Sequence, residues 1–268
     1  MSSSQILTGK HVVIFGAGGS IGTAVAKEMA GQGAEVFLAG RTKGTLEELT
    51  ASISAAGGRA HSAVVDALDD LQVNDYVERV VREAGHIDAV FNAVGPRAAD
   101  YGNGKHAVDL RIEEFMVPAT TVLKTQFIAA RAAARHMIKQ RSGVIIFLTG
   151  SPARGHVEGA SAIGAAFGAI ESLMENMALE LGQHGVRVVC LRTTANVDSQ
   201  SIQDTFDALT SKLNVTKDQM IAQMASLNFL KISARVQDTA NAAVLLASDR
   251  ARMISGTVVN CTAGAAVD

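Results

Sequence analysis

The sequence predicts an α/β protein built as one doubly wound, seven-stranded parallel sheet with helices on both faces. Three observations carry that expectation. Seven apolar strand-like runs alternate with helical patterns along the 268 residues, a glycine-rich turn joins the first run to the first helical pattern, and no linker or shift in composition divides the chain. A chain of this length buries one core without help from disulfides or metals, so a single domain over residues 1–268 and no metal site are expected.

The elements follow in order. The first strand, residues 11–15, is apolar after His11 and runs into Gly16-Ala17-Gly18-Gly19-Ser20-Ile21-Gly22. Ile21, Val25 and Met29 then recur at helical spacing and place a helix over 23–32. Strands are expected at 35–39, 60–65, 87–93, 143–148, 186–191 and 257–261, with helices at 46–56, 73–84, 112–139, 162–183 and 237–247. Short crossovers of this kind demand parallel pairing. Ligands in such a sheet sit beyond the carboxyl ends of the strands, where strand order reverses. Residues 193–233 break the rhythm, with Phe206, Leu209, Leu213, Met220, Met224 and Leu227 on two amphipathic stretches. They read either as a pair of surface helices or as a lid that closes its apolar residues over a site at that edge.

Composition excludes several classes. A net charge of −2 and 48% hydrophobic residues fit neither a nucleic-acid surface nor a disordered chain. No apolar run is long enough to span a bilayer and no charged-then-apolar leader precedes Lys10, so a cytoplasmic location without membrane contact is expected. Cys190 and Cys261 lie in apolar strands and read as buried free thiols. The helix at 162–183 has few charges before Glu171 and carries Gly164, Ala165, Gly168 and Ala169 on one side. Its first half is expected to be buried all round, more than one sheet face requires.

The turn carries the first chemical signal. Glycines let the backbone approach a pyrophosphate closely and take dihedrals closed to other residues. The helix that follows aims its free N–H groups and the positive end of its dipole at the phosphates. Strand, glycine turn and helix in that order give the motif its context.

With these residues in place the chain resembles the short-chain dehydrogenase/reductase family over nearly its whole length, which implies a single-domain Rossmann fold. Gly16, Gly18, Gly19 and Gly22 resemble the family's Thr-Gly-x-x-x-Gly-x-Gly turn, with Phe15 for the threonine and Ser20 for the middle glycine. Asn92-Ala93-Val94-Gly95 resembles its Asn-Asn-Ala-Gly, Asp66 (with Ala67) the acidic residue near the adenine, and Ser255-Gly256 to Gly264 its closing strand. The implied cofactor-binding set is Gly16, Gly18, Gly19, Ser20, Ile21, Gly22, Arg41, Thr42, Asp66, Ala67, Asn92, Ala93, Val94 and Gly95. The second strand ends Leu38-Ala39-Gly40-Arg41-Thr42, with no carboxylate before Glu47. A carboxylate there would accept hydrogen bonds from ribose hydroxyls and repel a 2′-phosphate. A guanidinium fork and a hydroxyl suit that phosphate, so NADP(H) is favoured over NAD, the alternative being that Arg41 is a solvated surface charge. In the family the two long helices, at 112–139 and 162–183, pair across a two-fold axis, which implies a homodimer or homotetramer.

The resemblance fails at the reaction centre. The family uses a serine, a tyrosine, a lysine and an asparagine, and the matching places hold Ser151, Ile163, Phe167 and, on the 112–139 helix, Val122. Tyr101 is the last tyrosine, and no lysine lies between Lys139 and Lys212. The usual Pro-Gly after the sixth strand reads Thr193-Thr194. Losing general acid–base catalysis removes about 10²- to 10⁴-fold in rate, roughly 3–5 kcal/mol of barrier. Three readings survive. One is an enzyme acting on a small carbonyl or alcohol with Ser151, His156 and Tyr101 as relocated groups and Arg154 holding an oxyanion. Another is a non-redox isomerase, cyclase or lyase. The last is a non-catalytic NADP-binding or scaffold protein.

Overall fold

A computed structural model describes residues 5–213 and 215–268, without the side chains of 208, 209 and 211–213. The strands are β1 (His11–Phe15), β2 (Glu35–Gly40), β3 (Arg59–Val64), β4 (Ala89–Asn92), β5 (Gly143–Gly150), β6 (Val186–Thr193) and β7 (Thr257–Cys261). The helices are α1 (Ser20–Gly31), α2 (Lys43–Ala55), α3 (Asp70–Ala84), α4 (Ile112–Pro118), α5 (Lys124–Gln140), α6 (Ser161–Gly182), α7 (Gln200–Leu213), α8 (Lys217–Leu227) and α9 (Val236–Ala247). All seven strands join one parallel sheet in the order β3-β2-β1-β4-β5-β6-β7, as expected for a doubly wound α/β protein. Strand order reverses between β1 and β4, which opens the ligand crevice beside the glycine turn.

Alternation along each strand divides the core in two. Val13 and Phe15 face α3, α5 and α6 with Val77, Ile128 and Ile170, whereas Val12 and Ile14 face α1, α2 and α9 with Val25, Leu49 and Val244. No helix among the described residues is long and apolar enough to cross a membrane.

Several expectations need correction. The stretch 112–139 is not one helix: a π-helical turn, Ala119–Leu123, separates α4 from α5 and holds the buried Val122. Pro118, immediately before it, lacks an N–H and cannot continue the α-helical ladder. Within the single chain the first half of α6 is covered on one side. Ser161, Ala165 and Ala169 form an exposed stripe of small residues, while Ala162, Ile163 and Ala166 are buried. Cys190 is buried but Cys261 only partly, and both are free thiols. On α7 and α8, Phe206 is buried, Met220 and Met224 are half-buried, and Leu227 is exposed; the side chains of Leu209 and Leu213 lie outside the described ones.

Candidate functional site

Local backbone chemistry shapes the turn after β1. Gly16 takes a φ of 70°, open to glycine at little cost, and a Cβ there would stand 2.8 Å from the carbonyl carbon of Ala93 and the nitrogen of Val94. A Cβ on Gly22 would fall 2.2 Å from the Gly16 oxygen. The first turn of α1 therefore packs directly on the loop, and the loop on the end of β4. Helix α1 starts at Gly19 with no side-chain cap and no acidic residue in its first turn, and its first helical bond runs from Thr23 N–H to the Gly19 carbonyl. That leaves an anion-attracting helix start at the crevice. Ser20 Oγ accepts the N–H of Gln200, the first residue of α7, at 3.0 Å, tying the 193–233 segment to this turn.

The neighbouring groups complete a cradle. Gly18 faces the start of α2, where a Cβ would lie 3.2 Å from Thr45 Cγ2. Helix α2 also lacks acidic residues in its first turn, and its N-cap, Thr42, makes no side-chain capping bond. Arg41 is exposed beside it, and Lys43 pairs with Glu47 at 3.6 Å across an exposed turn. Asp66 is half-buried and its Oδ1 accepts the Leu68 N–H at 3.0 Å, closing the loop into α3, with Ala67 buried next to it. Asn92 is buried; its Oδ1 accepts the Val94 N–H at 2.8 Å, and its Nδ2 has no partner. A glycine cradle, an uncapped helix start and an unpartnered buried amide fit a dinucleotide.

The other wall of the crevice is built differently. Ser151 is buried at the end of β5, opening a single 3₁₀ turn (Ser151–Ala153), and its Oγ lies 3.3 Å from Thr194 Oγ1. Beneath it α6 supplies apolar side chains. Ile163 is buried, and the Phe167 ring packs on Gly150, where a Cβ would be 2.9 Å from Phe167 Cε2. His156 is exposed at a φ of 48°. Tyr101 closes a 3₁₀ turn (Ala98–Tyr101) and is half-buried; burial raises its pKa above the ordinary 10.0, so it is a phenol, not a phenolate, at neutral pH. The loops bearing Tyr101 and His156 touch, with Gly104 N–H donating to the Gly159 carbonyl at 2.9 Å. Among the described residues no hydrogen bond joins Ser151, His156 and Tyr101 to one another.

Sequence reasoning missed two buried polar groups of this wall. Gln126 on α5 donates from Nε2 to the carbonyls of Asn92 (3.1 Å) and Leu148 (3.2 Å), bracing β4 against β5. An amide near the start of an alanine-rich helix was the available signal. Arg192 of β6, 1% exposed, grips Glu171 of α6, 2% exposed, through two bonds of 2.8 and 2.9 Å, and also binds Asp268. Burial alone would lower the Arg192 pKa, but Glu171 and Asp268 raise it instead. Arg154, largely exposed, brings its Nε to 3.6 Å from the Glu171 carboxylate. Thr149 donates to Glu171 at 3.2 Å and contacts Cys190, whose thiol burial pushes up to about 12, inert as a nucleophile at neutral pH. A cavity of about 280 Å³ lies elsewhere, between the β3 edge and α3, lined by Phe37, His61, Tyr76 and Arg79.

Comparison with known proteins accords with this geometry. The family model for the short chain dehydrogenase matches residues 10–210. Short chain aldehyde dehydrogenase 1 of Euphorbia lathyris is 30% identical over 95% of this chain and 87% of its own. Among solved structures, sorbitol-6-phosphate 2-dehydrogenase SrlD of Erwinia amylovora superposes with a TM-score of 0.86 at 24% identity, covering 96% of this chain and 100% of that one. An actinorhodin polyketide ketoreductase variant with NADPH gives 0.86 at 17% identity, covering 99% of both chains.

Proposed function

Because the chain belongs to the short-chain dehydrogenase family, we propose that it is an NADP(H)-binding oxidoreductase acting on a small carbonyl or alcohol through a non-standard catalytic site. The observation that carries this reading is the pairing of an uncapped α1 start with an uncapped α2 start that bears Arg41 and Thr42 and no carboxylate. The first would hold the pyrophosphate through Gly18, Gly19, Ser20, Ile21 and Gly22. The second would hold the 2′-phosphate through the Arg41 guanidinium, the Thr42 hydroxyl and backbone N–H groups. Asp66 and Ala67 would border the adenine, and Asn92, Ala93, Val94 and Gly95 would line the crevice. When bound, the nicotinamide supplies or accepts hydride.

The chain's own groups do the rest of the work. Ser151, hydrogen-bonded to Thr194, orients a carbonyl oxygen. Tyr101, held as a phenol, can hand over a proton, and His156 on the adjoining loop can exchange it with solvent. Ile163 and Phe167 exclude water and transfer no proton. Helices α7 and α8 act as the lid, and exposed Ile112, Phe115, Met116 and Phe127, with the small-residue stripe of α6, form the dimer or tetramer contact. A cytoplasmic location accompanies this reading.

The apolar floor favours one further reading, a cofactor-binding protein without turnover. Calorimetry with NADPH and NADH, followed by NADPH oxidation against aldehydes, ketones and enones, separates the two. Turnover that falls in Tyr101→Phe or His156→Ala supports the oxidoreductase, with Ser151→Ala giving a partial loss. Tight NADPH binding with no turnover supports the second reading, and equal affinity for both cofactors overturns the NADP assignment.

A further inference from the structure

At the foot of the sheet, the end away from the glycine turn, His11, His86 and Asp88 converge. Each offers one ligand-type atom, and these three atoms lie within 4.8 Å of one another. His86 Nε2 is 3.1 Å from Asp88 Oδ2, and the two imidazole rings stand 4.5 Å apart, centre to centre. His11 Nδ1 is buried and has no hydrogen-bond partner. We propose that these three side chains form a binding site for a divalent transition ion of the zinc class, which the sequence did not lead us to expect.

The donor set suits such an ion. Two imidazoles and one carboxylate, with no thiolate, are ordinary zinc ligands, and a water can fill the fourth position. Atoms about 2.0–2.1 Å from a tetrahedral ion stand about 3.3–3.4 Å from one another; the His86–Asp88 spacing of 3.1 Å is close to that, and the His11 atom lies within 4.8 Å of both. With Nδ1 as the ligand, His11 keeps its proton on Nε2, which faces Glu35 Oε2 at 3.9 Å. Glu35 is itself fixed by His61 at 2.7 Å and Arg59 at 3.4 Å, an outer carboxylate placed to orient the ligating ring. The ion would also satisfy the otherwise orphaned Nδ1.

The backbone preforms the site. His11 N–H donates to Asp88 Oδ2 at 2.8 Å, Asp88 N–H to the His11 carbonyl at 2.9 Å, and Val144 N–H to the Asp88 carbonyl at 2.8 Å. Lys10 lies 3.4 Å from Asp88 Oδ1 and opposes a cation there, but Asp249, at 3.1 Å, gives the ammonium a second partner to which it can retire. A bound ion would cross-link the start of β1 to the approach to β4. The turn begins five residues on at Gly16, about 16 Å away along β1 at about 3.3 Å per residue, so cofactor affinity is independent of the ion.

The test is titration of the full-length, metal-stripped protein with Co²⁺, followed by displacement with Zn²⁺. One Co²⁺ per chain with the strong visible absorption of four-coordinate cobalt is expected, lost on adding Zn²⁺. His86→Gln and Asp88→Asn should each weaken Co²⁺ at least tenfold and abolish the Zn²⁺-dependent rise in Tm, with circular dichroism reporting that each variant is folded. X-ray absorption on the wild-type zinc protein supplies a reading free of any variant, two imidazoles and otherwise oxygen being expected. No saturable cobalt band, a band that survives both substitutions, or sulfur in the zinc shell would overturn the site.

Discussion

The two walls of the crevice are made by opposite means. Around the β1–α1 turn the work is done by backbone: glycines that admit no Cβ, a helix start without a cap, and an exposed arginine at a second helix start. Around β5, β6 and α6 it is done by side chains, an apolar floor of Ile163 and Phe167 over a buried Glu171–Arg192 pair. The first wall is poised to take an anion, and the second is already neutralised from within. The two walls meet at Gln126, whose Nε2 donates to the Asn92 carbonyl of the first and the Leu148 carbonyl of the second.

The largest expected effect tests the second wall. Glu171→Gln leaves Arg192 buried with Asp268 as its one remaining carboxylate partner and should cost about 3–5 kcal/mol in stability, read from denaturant midpoints. Replacing both residues with apolar ones of similar volume should recover most of that loss, since pairing only offsets the desolvation of two charges. Next comes the first wall. Arg41→Ala should weaken NADPH by about 1.5–3 kcal/mol and leave NADH unchanged by calorimetry, whereas an equal loss for both would detach Arg41 from the phosphate. Gly22→Ala should destabilise the fold by about 1–3 kcal/mol, because its methyl meets the Gly16 oxygen at 2.2 Å, and it should abolish cofactor binding at concentrations that saturate the wild type.

The smallest effect lies outside both walls and serves as a control. Hydrogen bonds from Lys105 and Arg111 hold the Glu114 carboxyl down at about 2, against an ordinary 4.5. A carboxyl depressed on folding stabilises the native state above its unfolded pKa, and that contribution fades as pH falls from about 4.5 towards 2. Glu114→Gln should flatten the acid limb of a Tm–pH profile in that window and leave neutral-pH cofactor binding untouched.

What the sequence made legible follows the same division. Strands and their partners could be placed because buried parallel strands are apolar runs with short crossovers, and the glycine turn because only glycine fits its dihedrals and contacts. Glu171 was invisible as a core residue, since a charge on a helix ordinarily faces water. The clue was Arg192, a guanidinium in the strand Val186–Thr193 that must find a partner when the sheet is covered on both faces. The π-helical turn at Ala119–Leu123 gave no periodic signal, although Pro118 marked where the ladder must break. Where His156 stands, exposed at a φ of 48° and without a bond to Ser151, was not legible, because loop dihedrals are set by tertiary packing.

The bond between Ser20 and Gln200 polarises a hydroxyl. Ser20 Oγ accepts the Gln200 N–H, so one of its lone pairs is spent on the protein, while its own hydrogen donates to no group among the described residues. A hydroxyl that already accepts is a better donor, because each hydrogen bond strengthens the next in the chain. At the mouth of α1, where only donors are of use to an anion, the start of α7 thus sets the sense of Ser20: α7 lends its first amide dipole, through one oxygen, to the start of α1.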